Sequence, residues 1–162
     1  METLVPGMKA THDALAHRLA QAADAHPDTD PDHPRDQYPA IDTFLAIASR
    51  HNAAVVAVVV PAVRRRLPDG TERARTFVHE SRRFEVALNQ VKAKLYGSTY
   101  AIRRPWSSIW DDVWREFTWM CELERELVKA RAARLRDAAA ERRSAWLDGL
   151  VGTSQPVLVE NS

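Results

Sequence analysis

The 162-residue sequence predicts an all-α protein, an antiparallel up-down-up-down four-helix bundle with a C-terminal helical extension. Two observations carry this. Apolar residues recur at spacings of three and four in four long segments, which keeps them on one helical face. Proline- and glycine-marked breaks separate those segments. Residues 1–150 are expected to form one domain, with a Pro/Asp-rich loop over 26–39 and a disordered tail over 151–162. No solenoid-type repeat is present.

Residues 1–7 read as a lead-in. The first helix takes shape from Met8, with His12, Leu15 and Leu19 on one face, and should stop before Pro27. "HPDTDPDHPRDQYP" reads as a solvated connector. The second helix is expected over 40–66, with Phe44, Ile47, His51, Val55 and Val58 on its inner face. "AVVAVVV" is β-branched and locally strand-like, but the periodicity on both sides favours helix. Pro61 should kink it, and "LPDG" should end it.

The third helix is expected over 71–96, with Phe77, Ser81, Phe84, Leu88, Val91 and Leu95 as a continuous stripe. His79 should face away from that stripe, and Gly97 suits a C′ position. For the fourth helix, Ser107 or Ser108 is the expected N-cap. Val113, Phe117, Met120, Leu123 and Leu127 are its apolar face, flanked by Trp110, Trp114 and Trp119. The stretch from Lys129 to Leu147 continues the helix or adds a bent extension.

Bulk composition narrows the function classes. A formal net charge of +1, from 23 basic and 22 acidic residues, argues against nucleic acid or an anionic membrane as main partner. The strongly apolar run Ala53–Val63 is only 11 residues long, short of the roughly 20 that span a bilayer. The N-terminus lacks a signal-peptide pattern, and a single cysteine, Cys121, excludes an intrachain disulfide. These features lead to the expectation of a soluble, cytoplasmic protein. The Arg-rich ends and the Trp cluster leave a homodimer open. No Gly-rich phosphate loop, nucleophile elbow or Cys-x-x-Cys motif is present.

The chemistry-bearing residues lie in "THDALAHRL", "RHNAAVVAVVVPAVRRRLPDG", "HESRRFEVALNQVKAKLYG" and "WDDVWREFTWMCELERELV". With these pieces the chain resembles the bacterial hemerythrin-like (HHE, cation-binding) domains over about residues 8–130. That family holds a di-iron centre inside a four-helix bundle. It uses His on the first helix, His-x-x-x-Glu on the second, His on the third and His-x-x-x-Glu on the fourth. Spacing i, i+4 stacks two ligands on one face toward the same ion. His12 and His51 match the first- and second-helix histidines. The remaining family positions fall on Val55, Ser81, Trp119 and Leu123. Two imidazoles cannot hold two irons, so the expected centre is metal-free, with no cofactor.

The expected function follows from that emptied centre. Val55, Phe84, Met120, Leu123 and Trp119 would wall a pocket for a small, mostly apolar organic molecule, with Ser81 as donor and Glu124 at its edge. His51 is the candidate general base and His12 the second acid/base of a cofactor-independent dehydratase, lyase or isomerase. Tyr96, Tyr100 and Trp106 would line the entrance. The alternatives are a non-catalytic sensor, carrier or scaffold, and a residual iron-binding oxygen or redox protein. Cys121 is expected to be a buried structural thiol.

Overall fold

The computed structural model describes residues 4–25, 38–97 and 103–154, and side chains from residue 7 onward. The chain forms four helices packed against one another: α1 (Leu4–Asp24), α2 (Tyr38–Arg66), α3 (Gly70–Leu95) and α4 (Trp106–Leu150). No strand occurs among the described residues. The β-branched run of α2 is therefore helical, as the flanking periodicity requires. The 26–39 loop lies outside the described residues up to Tyr38, where α2 begins, and so do Tyr100 and the tail beyond residue 154.

Leu15, Leu19, Ile41, Phe44, Phe77, Val91, Ile109 and Val113 form the heart of one core shared by all four helices. The stripe expected on α3 is buried in full, Ser81 included. Gly97 follows α3 with φ +83°, the left-handed conformation that favours glycine.

Several boundaries and faces differ from the sequence reading. α1 begins at Leu4 rather than Met8. Pro6 is tolerated there because first-turn N–H groups have no helical partner. α4 begins at Trp106, with Pro105 at the N-cap position instead of a serine. Ser108 instead accepts from Arg104 Nη2 at 2.7 Å, and the same nitrogen donates to Asp112 at 2.8 Å. The guanidinium thus secures the chain entering α4. The stretch after Lys129 continues α4 without a break to Leu150.

α2 keeps Phe44 and Val55 of the expected face but turns Ala48 and Asn52 inward in place of Ile47, with His51 half-buried. It buries Ile41, Leu45, Ala48, Asn52 and Val55, while Ile47 and Val58 are exposed. The cause is polar: Asn52 takes the inward position and is fully engaged there. Its side chain donates to Glu85 Oε1 at 2.8 Å and accepts from Ser81 Oγ at 3.0 Å. Ser49 donates to the other oxygen of Glu85 at 2.9 Å. Among the described residues, α2 is the one helix long and apolar enough to cross a membrane, although only 28% of that window is buried; here it packs on α1, α3 and α4.

The turn between α2 and α3 depends on one glycine. A Cβ on Gly70 would lie 2.2 Å from the carbonyl oxygen of Val63, closer than any side chain tolerates. The two helices can thus follow each other after only residues 67–69.

The rotated face gives a direct test. Phe77→Ala should cost about 3–5 kcal/mol in urea unfolding, because Phe77 is 1% exposed. Val58→Ala should change stability by less than about 0.5 kcal/mol, because Val58 is 67% exposed. A large Val58 effect would restore the face expected from periodicity.

Candidate functional site

Three helices bring three side chains to one point in the core. On α1, His12 shares the buried stripe of Leu15 and Leu19 and is 7% exposed. On α2, His51 is half-buried beside Asn52. On α4, Glu124 lies one turn from both Met120 and Leu127 and is 8% exposed.

His12 Nε2 and His51 Nε2 both lie 2.9 Å from the same oxygen, Glu124 Oε2. The two imidazole rings meet edge to face, with centroids 5.5 Å apart. A carboxylate oxygen only accepts, so each imidazole donates its Nε2–H. The donor atoms of the three residues all lie within 4.8 Å of one another. Among the described residues this is the only group of three or more His, Cys, Asp or Glu side chains arranged to hold a metal ion.

Burial by itself would raise the Glu124 carboxyl. The hydrogen bonds from His12 and then His51, with their charge, more than reverse this and hold it at about 2 instead of 4.5. Cys121 responds in the opposite direction. Burial, then the nearby Glu124 charge, pushes its thiol up to about 12. It is a buried, unreactive thiol at neutral pH, as its sequence surroundings suggest.

Beside the three residues is a cavity of about 10 Å³, lined by His51, Asn52, Val55, Phe84, Met120, Cys121 and Glu124 among others. That volume matches roughly one water molecule. An organic molecule has no room there without helix displacement.

The expected site residues therefore divide into groups. His51, Val55, Phe84, Met120 and Glu124 share the cavity wall, and His12 joins it through Glu124. Ser81 is buried but committed to Asn52, so it offers no free donor to a ligand. Trp119 is 46% exposed and points away from the centre. Leu123 is half-buried and lines a separate groove between α3 and α4 with Phe77 and Leu127. Tyr96 is exposed, and Trp106 is buried against Trp110 at 6.2 Å.

The central role of Glu124 is what the sequence reading missed. The α4 stripe runs Val113, Phe117, Met120, Glu124, Leu127, a strict alternation of four and three. Choosing Leu123 preserved apolar character but broke that alternation. The signal was available: a lone carboxylate in register with an apolar stripe. The inward i, i+4 pair on α4 is thus Met120 and Glu124, not Trp119 and Leu123. Glu116, next to Phe117 of that stripe, is also buried, at 5% exposed, and accepts from Arg83 Nη2 at 2.9 Å.

No family model, curated protein or solved structure matches the chain.

The depressed carboxyl sets a pH signature. Because the folded value is about 2 and the ordinary value 4.5, the stability Glu124 contributes is present above 4.5 and is lost as pH falls toward 2. Over that window the wild type should lose on the order of 3 kcal/mol more than Glu124→Gln, read from urea melts. Parallel pH profiles would show that Glu124 does not hold the imidazoles.

Proposed function

We propose that the chain is a degenerate hemerythrin-like bundle, in up-down-up-down order, that binds one divalent transition-metal ion through His12, His51 and Glu124. The short 67–69 connection and the packing of α1 on α2, α2 on α3 and α3 on α4 support that helix order, with α4 touching α1 and α2 as well. The observation that carries the metal reading is the convergence of three donor atoms within 4.8 Å in the core.

The fit to one ion is good on two counts. Each imidazole nitrogen lies 2.9 Å from the carboxylate oxygen. A separation of this size is short enough for each nitrogen and the oxygen to bind the same small ion, on bonds of roughly 2.1 Å. The charge balance also favours a cation. Glu124 brings one buried negative charge that a cation would balance in place of imidazole protons, and no Lys or Arg contacts Glu124 among the described residues. Two imidazoles and a carboxylate suit iron(II), manganese or zinc.

A second ion does not fit. Val55 and Met120 offer no hard donor, and Ser81 is engaged with Asn52. His12, His51 and Glu124 would hold a single ion beside a water-sized space, where it would supply Lewis acidity. The chain's own part is to fix the imidazoles, supply the balancing carboxylate and exclude bulk water with Phe77, Phe84 and Phe117.

A metal-free acid–base centre is the second reading, and the shared Oε2 favours it. Glu124 orients both imidazoles as a base and its positioning partner are oriented in nucleophilic and acid–base enzymes. His51, the more exposed imidazole, would then be the base and His12 the orienting group. A substrate would have to displace side chains around the 10 Å³ cavity. The sensor or carrier alternative uses the same cluster without turnover.

Cobalt(II) titration of chelator-treated protein, followed by visible absorption and metal analysis, distinguishes the two. The expected result is one ion per chain, with Glu124→Ala and His12→Ala each weakening binding more than about 100-fold, beyond the usual outer-shell effect. Cobalt binding that is indifferent to both substitutions would sink the metal reading and leave the acid–base one.

A further inference from the structure

A second feature lies away from the His–Glu cluster and does not depend on it. α3 places Thr71, Arg75, Val78 and Arg82 at successive spacings of four, three and four, so all four share one face. Arg64 faces them from the last turn of α2. Together with a floor that includes Val60 and Ala74, they bound an open groove of about 310 Å³.

The charge of this groove is one-sided. No Asp or Glu lines it. Among the described residues, Arg64, Arg75 and Arg82 have no hydrogen-bonding or ion-pair partner. Unpaired arginines also occur elsewhere on the surface, Arg18, Arg50, Arg65 and Arg66 among them, so the groove is set apart by three of them facing one concavity, while a few others are paired. Arg73 pairs with Asp69, Arg83 with Glu80 and Glu116, and Arg104 and Arg115 share Asp112. The fourth cationic candidate, His79, projects at the rim with only Glu80 near, at 3.9 Å. Three like charges left unpaired around one concavity repel one another until an anion enters.

Two further details suit an anion. Thr71 is in the first turn of α3, where backbone N–H groups have no helical acceptor. Asp69, at the N-cap, makes no side-chain hydrogen bond to that turn; its Oδ2 accepts from Arg73 Nε instead. The floor of Val60, Ala74 and Val78 is apolar, so it suits a ligand body that is not itself charged.

We propose that this groove binds a phosphorylated small molecule with a compact apolar body. Guanidinium forks match phosphate oxygens in pairs, which ammonium groups do not. The volume is at the lower end for small-molecule sites, enough for one ring-sized body and one phosphate ester. The apolar floor distinguishes such an ester from free inorganic phosphate.

The test is calorimetric titration of the full chain at low ionic strength with phenyl phosphate, inorganic phosphate and a short single-stranded oligonucleotide. The expected result is one phenyl phosphate per chain, bound at least about threefold tighter than inorganic phosphate. Arg75→Gln and Arg82→Gln, both at exposed positions, should each weaken it about tenfold or more. Helical circular dichroism of each variant should match the wild type. Phenyl phosphate binding that is absent, or equal in the arginine variants, overturns the proposal. An oligonucleotide that binds tighter, through the same arginines, also overturns it and makes the face a polyanion surface.

Discussion

One buried carboxylate oxygen organises the centre of this bundle. Glu124 Oε2 accepts from His12 of α1 and His51 of α2, so a single residue of α4 ties three helices together. A carboxylate in a core is costly unless its lone pairs are satisfied and its charge is balanced. Two imidazoles satisfy the first condition. The second demands either a proton on one imidazole or an external cation, and this demand gives the site its chemistry. The surrounding phenyl rings and the thiol of Cys121 add no donor that competes for the carboxylate.

A second polar linkage, separate from the first, sets the rotation of α2. Asn52 joins Ser81 and Glu85 of α3, while Ser49 completes the chain. This linkage lies beside the His–Glu cluster, since Asn52 lines the same small cavity. It turns His51 toward α4 and Val58 toward solvent. The polar groups thus fix helix register, and the apolar residues fill in around them. Such networks specify one arrangement only when every member is satisfied.

These two linkages also explain what the sequence disclosed and what it hid. The four helices, the α3 stripe from Phe77 to Leu95 and the outward His79 follow from spacing alone, because apolar burial is set by period. The inner faces of α2 and α4 do not, because each carries a polar residue in the buried register. Reading for apolar continuity favours Val58 and Leu123; satisfying hydrogen bonds favours Asn52 and Glu124. The resemblance to hemerythrin-like domains pointed to His12 and His51 and put its α4 positions on Trp119 and Leu123, one residue before the inward Met120 and Glu124, which left Glu124 only at the edge of the expected site. Trp119, in the same shifted register, accordingly falls on the solvent side.

The most direct measurement is imidazole nitrogen–proton correlation NMR on the chelator-treated protein, before and after one equivalent of zinc. If Glu124 bridges the two histidines, His12 and His51 both show a protonated Nε2 before zinc. Both signals then disappear together at one equivalent as the nitrogens become ligands. A single affected histidine, or two that respond at different zinc ratios, would contradict a shared centre.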